Sequence, residues 1–141
     1  MPESPLDNME NKADVNPLDI SVQVGTLKEL KDGWLDGEGI APSHGGLCWL
    51  VWAFKKHWSD SLPLPYIYPT PAGGAQLEWS FDWRDISLDI NLTRHTGQWF
   101  ALDLDTGKTT EKNLNLDLNE DWAFIKKKSL DLNDVSLVVC F

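Results

Sequence analysis

Apolar and polar residues alternate through four consecutive segments: Ala75 to Trp83, Ile86 to Thr93, Gln98 to Asp105 and Thr109 to Leu118. A period of two is the signature of strands that bury one face. The links between them, Arg84-Asp85, Arg94 to Gly97 and Thr106-Gly107-Lys108, are short and turn-like, which forces antiparallel neighbours. Upstream, Tyr66-Ile67-Tyr68 is flanked by Pro63, Pro65, Pro69 and Pro71. That suits an edge strand, where missing N–H donors are tolerated. Ala72-Gly73-Gly74 reads as a hairpin turn. The pattern predicts an antiparallel meander of about five strands.

Before the prolines the period becomes helical. Leu47, Leu50, Val51, Phe54 and Trp58 share one helical face, and Trp49, Trp52 and Ala53 widen it. A helix from an N-cap at Ser43 to about Trp58, buried over most of its circumference, is expected. Leu18, Ile20, Val22 and Val24 alternate like a strand, yet Ile20, Val24, Leu27 and Leu30 also fit a helical face, and Gly25 weakens both readings. The run Leu27-Lys28-Glu29-Leu30-Lys31 has no strand character, so a helix ending near Asp32 and Gly33 is favoured. Asn119 is a candidate cap for a last helix, Glu120 to Lys128, with acids first and lysines last as the helix dipole prefers. Val135 to Phe141 is a candidate terminal strand. The expected fold class is α+β, with two N-terminal helices packed on one face of the sheet. Residues 1–16 read as a flexible acidic tail and residues 17–141 as a single domain.

Composition fits one core: 42 % of the 141 residues are hydrophobic and 11 % aromatic, as in globular domains. Most of the eight tryptophans must be core, since each has a large ring and one N–H to satisfy. The 22 acidic against 12 basic residues give a net charge of −10. Such a field opposes nucleic acid, whose binding depends on Lys and Arg neutralising phosphates, and attracts basic proteins. No basic segment followed by an apolar run opens the chain, and Leu47 to Phe54 is too short to span a bilayer. A cytoplasmic protein without membrane contact is expected, with Cys48 and Cys140 as reduced thiols.

The alternation assigns a face to every strand residue. Placing Leu77, Trp79, Phe81, Ile86, Leu88, Ile90, Leu92, Phe100, Leu102, Leu104, Leu114, Leu116 and Leu118 inward leaves a second face. That face carries Glu78, Asp82, Asp89, Trp99, Asp103, Asp105, Glu111 and Asp117 among Gln, Asn, Ser, Thr and Ala. Seven of its sixteen positions are acidic and none basic, with Arg84, Arg94, Lys108 and Lys112 at turns or strand ends. Solvated sheet faces usually mix signs, because like charges on neighbouring strands repel. An ordinary solvated face in an acidic protein and a surface matched to a cationic partner both fit this pattern.

Catalytic and metal signatures are weaker. Asp36 and Glu38 flank Gly37, and Glu78 precedes Trp79, a carboxylate and tryptophan set that a glycosidase could use; acids in a Gly-rich loop are more often turn formers. His44 and Cys48 lie four apart on one helix with His57 beyond, too few ligands for a zinc site. Asp103-Leu104-Asp105-Thr106-Gly107 resembles the start of a calcium loop, but its Gly is one place early and the closing Glu is absent, so a hairpin turn is expected. No GxSxG, phosphate-binding loop or Cys–His nucleophile pair occurs. No metal, no cofactor and no enzymatic activity are expected.

Two local motifs exceed what the strand pattern needs: Gly33-Trp34-Leu35-Asp36-Gly37-Glu38-Gly39, and Pro69-Thr70-Pro71-Ala72-Gly73-Gly74-Ala75-Gln76-Leu77-Glu78-Trp79. Through them, roughly Leu27 to Leu92 resembles a group of small uncharacterised bacterial proteins. These carry a W-D-G-x-G-A loop, then P-T-P-x-G-G-x-Q-L-E-W and a short L-E-I-E-like strand. Here Leu35 follows Trp34 as an insertion, and Leu88-Asp89-Ile90-Asn91 replaces the acidic strand repeat. The resemblance implies the domain boundaries and a bacterial or phage origin; it implies no activity.

The leading functional expectation is a stoichiometric neutraliser: an antitoxin, immunity protein or phage-encoded inhibitor that binds a basic toxin, nuclease or defence protein. A second is a structural or adaptor subunit assembling through Trp49, Trp52 or the edge strand. A third is a carbohydrate- or small-ligand-binding domain built on Trp34, Asp36, Glu38, Glu78 and Trp99.

Overall fold

The computed structural model describes residues 16–59 and 61–139. Two helices, α1 (Ile20–Leu27) and α2 (His44–His57), precede five strands and a third helix. The strands are β1 (Tyr66–Pro69), β2 (Ala75–Phe81), β3 (Arg84–Asn91), β4 (Thr96–Asp103) and β5 (Thr109–Asn115), and the last helix is α3 (Asn119–Val139). The strands form one antiparallel sheet in sequence order. The fold is the expected α+β arrangement around a five-stranded meander.

Local chemistry accounts for the helix ends. The Asp19 carboxylate accepts from the Ser21 and Val22 amides to cap α1, and the Ser43 hydroxyl accepts from the Gly46 amide to cap α2, satisfying N–H groups that lack an intrahelical partner. Helix α1 stops at Leu27, a turn before Asp32. There the Glu29 and Leu30 amides turn back to the Thr26 and Leu27 carbonyls, tightening the end of the helix. Helix α3 runs to Val139, so helix occupies Val135–Val139 where a terminal strand was expected. No Gly or Pro stands between Lys128 and Val139 to stop it. Cys140, Phe141 and all but the last residue of the tail expected over residues 1–16 lie outside the described residues.

The helices cover one sheet face. Leu77, Trp79, Ile86, Leu88, Ile90 and Leu114 are buried together with Val24, Leu47, Leu50 and Phe54 of α1 and α2 and with Trp122 and Ile125 of α3. Tryptophan ties the layers: Trp122 meets Phe54 edge-on with centroids 5.4 Å apart, and Trp99 meets Phe124 in the same way at 5.4 Å. The Pro63 carbonyl accepts from the indoles of both Trp58 and Trp79. Helix α2 is less buried than its sequence suggested: Trp52 is 56 % exposed, because its face points away from the sheet.

The edge of β1 is closed by one side chain. The Gln23 amide donates to the Leu18 and Pro65 carbonyls and accepts from the Ile67 amide. An open strand edge invites pairing with another chain, and this glutamine occupies the position a further strand would take. Among the described residues no helix is long and apolar enough to cross a membrane.

Candidate functional site

The sheet face opposite the helices is uncovered by any described element. Its composition follows from the register, which aligns residues in rows across the strands. One row is Tyr66, Glu78, Ser87, Phe100 and Glu111; the next is Tyr68, Gln76, Asp89, Gln98 and Asn113. Beyond these lie Ser80, Asp85, Leu102 and Thr109 on one side and Asn91, Thr96 and Asn115 on the other. At about 4.8 Å between strands, each full row spans about 19 Å. The face holds four carboxylates, Glu78, Asp85, Asp89 and Glu111, and no Lys or Arg.

Neutral residues separate the acids along each row, which limits their mutual repulsion in the free protein. Gln76 donates to Glu78 Oε2 at 2.7 Å, and Gln98 donates to Glu111 Oε1 at 3.4 Å. Three aromatic rings stand among them: Tyr66 and Tyr68, stacked with centroids 6.4 Å apart, and Phe100. All three are exposed. Carboxylates beside open ring faces suit guanidinium and ammonium groups, which gain from ion pairing and from the ring quadrupole together.

The structure redistributes the residues expected at this face. Glu78, Asp89 and Glu111 are on it. Trp99 is not: it is 1 % exposed and lies opposite Leu88 on the helix side. Strand β4 therefore turns Trp99 and Ala101 inward and Phe100 outward, inverting the expected assignment. Leu104 and Leu118, expected inward, are exposed in turns. Asp82 sits in the β2–β3 turn, which falls at Asp82-Trp83, two residues earlier than the pattern suggested. The shift places Asp85 on the strand and on the face.

Asp103 aligns with Arg84 at the helix-side parity. Its carboxylate accepts from the Asp105 and Thr106 amides, so Asp103 and Asp105 build the expected hairpin turn, with Gly107 at a φ of 74°. Asp117 lies past β5 and pairs with His95 Nδ1 at 2.9 Å, while the His95 ring stacks on Trp49 at 3.9 Å. Lys112 belongs to β5 rather than a strand end; its Nζ lies 4.4 Å from the Phe124 centroid on the helix side. Tyr66, Tyr68, Asp85 and Phe100 were not picked out from sequence. The two tyrosines were legible, since the Ile67 between them must face the core.

The two unexplained motifs meet. Leu35 and Glu38 exchange backbone hydrogen bonds, and the Trp34 indole donates to the Ile40 carbonyl at 3.0 Å. Gly33, Gly37 and Gly39 have φ near 90° and Asp36 has φ 51°, a backbone that favours glycine. Asp36 and Glu38 are exposed in this loop, and the Trp34 N–H is already used within it. The Ile40 amide then donates to the Pro71 carbonyl at 2.9 Å, and Ile40 pairs with Ala72 as an isolated bridge. The glycine-rich loop thus props the proline–glycine hairpin, which walls an open groove of about 1000 Å³ at one end of the exposed sheet face.

Among the described residues no group of three His, Cys, Asp or Glu side chains is placed to hold a metal ion. Cys48 is a free, exposed thiol. Comparison with protein-family models, with characterised proteins and with solved structures returned no match.

Proposed function

We propose that this is a non-catalytic binding protein that neutralises a basic protein partner through its uncovered sheet face, in the manner of an antitoxin, immunity protein or phage-encoded inhibitor. One observation carries the reading: four carboxylates and three exposed aromatic rings share a face that holds no Lys or Arg. Lys and Arg side chains of a partner would find acceptors and ring faces there, and repulsion among the acids would fall on binding. A net charge of −10 speeds encounter with such a partner.

The test is capture of partners from a lysate of the source organism by the full chain and by a variant carrying Asp85→Lys, Asp89→Lys and Glu111→Lys. All three positions are exposed, so folding should survive, as checked by circular dichroism. The wild type should retain a basic protein at low salt and release it as ionic strength rises. The variant should bind about a hundredfold more weakly, at roughly 1 kcal/mol for each reversed charge. A captured partner that is not basic, or one that the variant holds equally well, would refute the reading.

Trp52 supports a second reading, an adaptor that assembles through the outer side of α2. It is the most exposed tryptophan described, with Lys56 Nζ 4.9 Å from its ring centroid. Binding by that route would tolerate salt and fail with Trp52→Ala.

A further inference from the structure

We infer that the groove at the end of the sheet is a second site, which takes an uncharged, multiply hydroxylated ligand of the saccharide class. The groove occupies about 1000 Å³, at the upper end of the range for small-molecule sites, about 300–1,000 Å³. Its floor is the end of the sheet face, where Asp89, Gln98 and Asn113 align across three strands. Its wall is the Thr70–Gly74 hairpin, and Arg94 and Asp121 also line it.

The wall is built, not incidental. A Cβ on Gly74 would lie 2.5 Å from the Ile90 carbonyl oxygen, so only glycine lets the hairpin lie this close to β3. Gly73 has a φ of 86°, which an L side chain rarely adopts. From behind, Ile40 holds Pro71 and Ala72, and the Asp32 carboxylate accepts from the Ala41 amide at 2.9 Å. Both motifs that the meander does not require therefore end in this wall. The site is fixed before any ligand arrives, which lowers the ordering cost of binding.

The lining selects the ligand by elimination. Asp89 and Asp121 oppose an anion, Arg94 in the same lining offsets part of their pull on a cation, and the polar floor offers little to an apolar molecule. Arg94 enters no ion pair with either acid: among the described residues the one contact at ion-pair distance is between His95 and Asp117. What remains is a mixed set of donors and acceptors. Asn91 Oδ1 accepts from the Thr93 and Arg94 amides, and Asn115 Oδ1 accepts from the Asp117 amide. Both side chains thus keep their NH₂ groups for a ligand. Asp89 accepts, Arg94 donates, and the amide of Asn113 does both. Vicinal hydroxyls, each able to donate once and accept twice, match such a set; a ligand with fewer hydroxyls would leave it unpaired.

The experiment is amide chemical-shift titration of the full chain with maltotriose, cellotriose and chitotriose as probes. At least one should give saturable shifts confined to the groove lining, Gly73, Gly74, Asp89, Asn91 to Arg94, Gln98 and Asn113 to Asn115, unchanged by added salt. Asn113→Ala and Arg94→Ala, both at exposed positions, should each weaken that binding by about tenfold, the loss of one or two hydrogen bonds. Absence of shifts with all three sugars, shifts elsewhere, or affinity indifferent to both substitutions would overturn the assignment. Because basic-partner capture is salt-sensitive and sugar binding is not, either can fail without the other.

Discussion

Gly45 and Gly46 stand side by side in the first turn of α2 and have opposite surroundings. A Cβ on Gly46 would lie 2.6 Å from Leu92 Cβ and 2.8 Å from the capping hydroxyl of Ser43, whereas nothing lies within 4 Å of one on Gly45. Gly46→Ala should therefore cost about 1–3 kcal/mol by overpacking, and Gly45→Ala should gain up to about 1 kcal/mol by helix propensity. Urea denaturation of the two variants checks both signs. His57 stacks on the Trp122 ring with centroids 5.0 Å apart; burial first, then the charges of Lys56 and Lys126, holds its pKa below the ordinary 6.5. The unfolded chain then binds the proton more readily than the folded one. This site contributes nothing to the pH dependence well above 6.5. Its destabilisation grows as pH falls below 6.5 and levels off beneath the lowered value. His57→Gln should remove that decline from a plot of unfolding free energy against pH, and an unchanged slope would show that the imidazole is not the group responsible.

Among the elements, β4 shows where sequence stopped being sufficient. Apolar residues occupy both of its parities: Trp99 and Ala101 on one, Phe100 and Leu102 on the other. Alternation alone could not choose between them, and the expected inward set took Phe100, Leu102 and Leu104. What decides is tertiary: pairing with β3 sets Trp99 opposite Leu88, and Phe124 of α3 supplies an edge-on partner for its ring. Gly97 adds room, since a Cβ there would lie 2.8 Å from Leu88 Cδ1. Trp99→Ala should cost about 3–5 kcal/mol, while Phe100→Ala should stay within about 0.5 kcal/mol, as for other surface positions. Equal costs would contradict the register. By contrast the existence and parity of β2 and β3 and the capped start of α2 were legible, because each has one dominant apolar parity or stripe, although the β2–β3 turn fell two residues early. Helix α1 ended early because the residues after Leu27 offer only Leu30 to the core.

At the scale of the whole molecule, the meander and its helix layer follow from local signals: strict alternation, short links and a Ser N-cap. The candidate site was legible only in outline. Of the seven acids expected on one face only Glu78, Asp89 and Glu111 lie there, joined by Asp85, because Asp82 falls in a turn and Asp103 accepts from the backbone of another. The exposed rings beside these acids depended on the parity of β4 and on the short β1. The convergence of the two glycine motifs lay beyond any periodicity argument, since Ile40 and Pro71 belong to segments separated by α2. The proposed function requires that a cationic partner land on this sheet face. The direct measurement is amide chemical-shift mapping of this chain with its captured basic partner. Perturbations should follow the rows through Tyr66, Glu78, Phe100 and Glu111 and through Tyr68, Asp89 and Gln98, fading as salt is raised. Perturbations gathered around Trp52 on α2, and persisting in salt, would contradict the account.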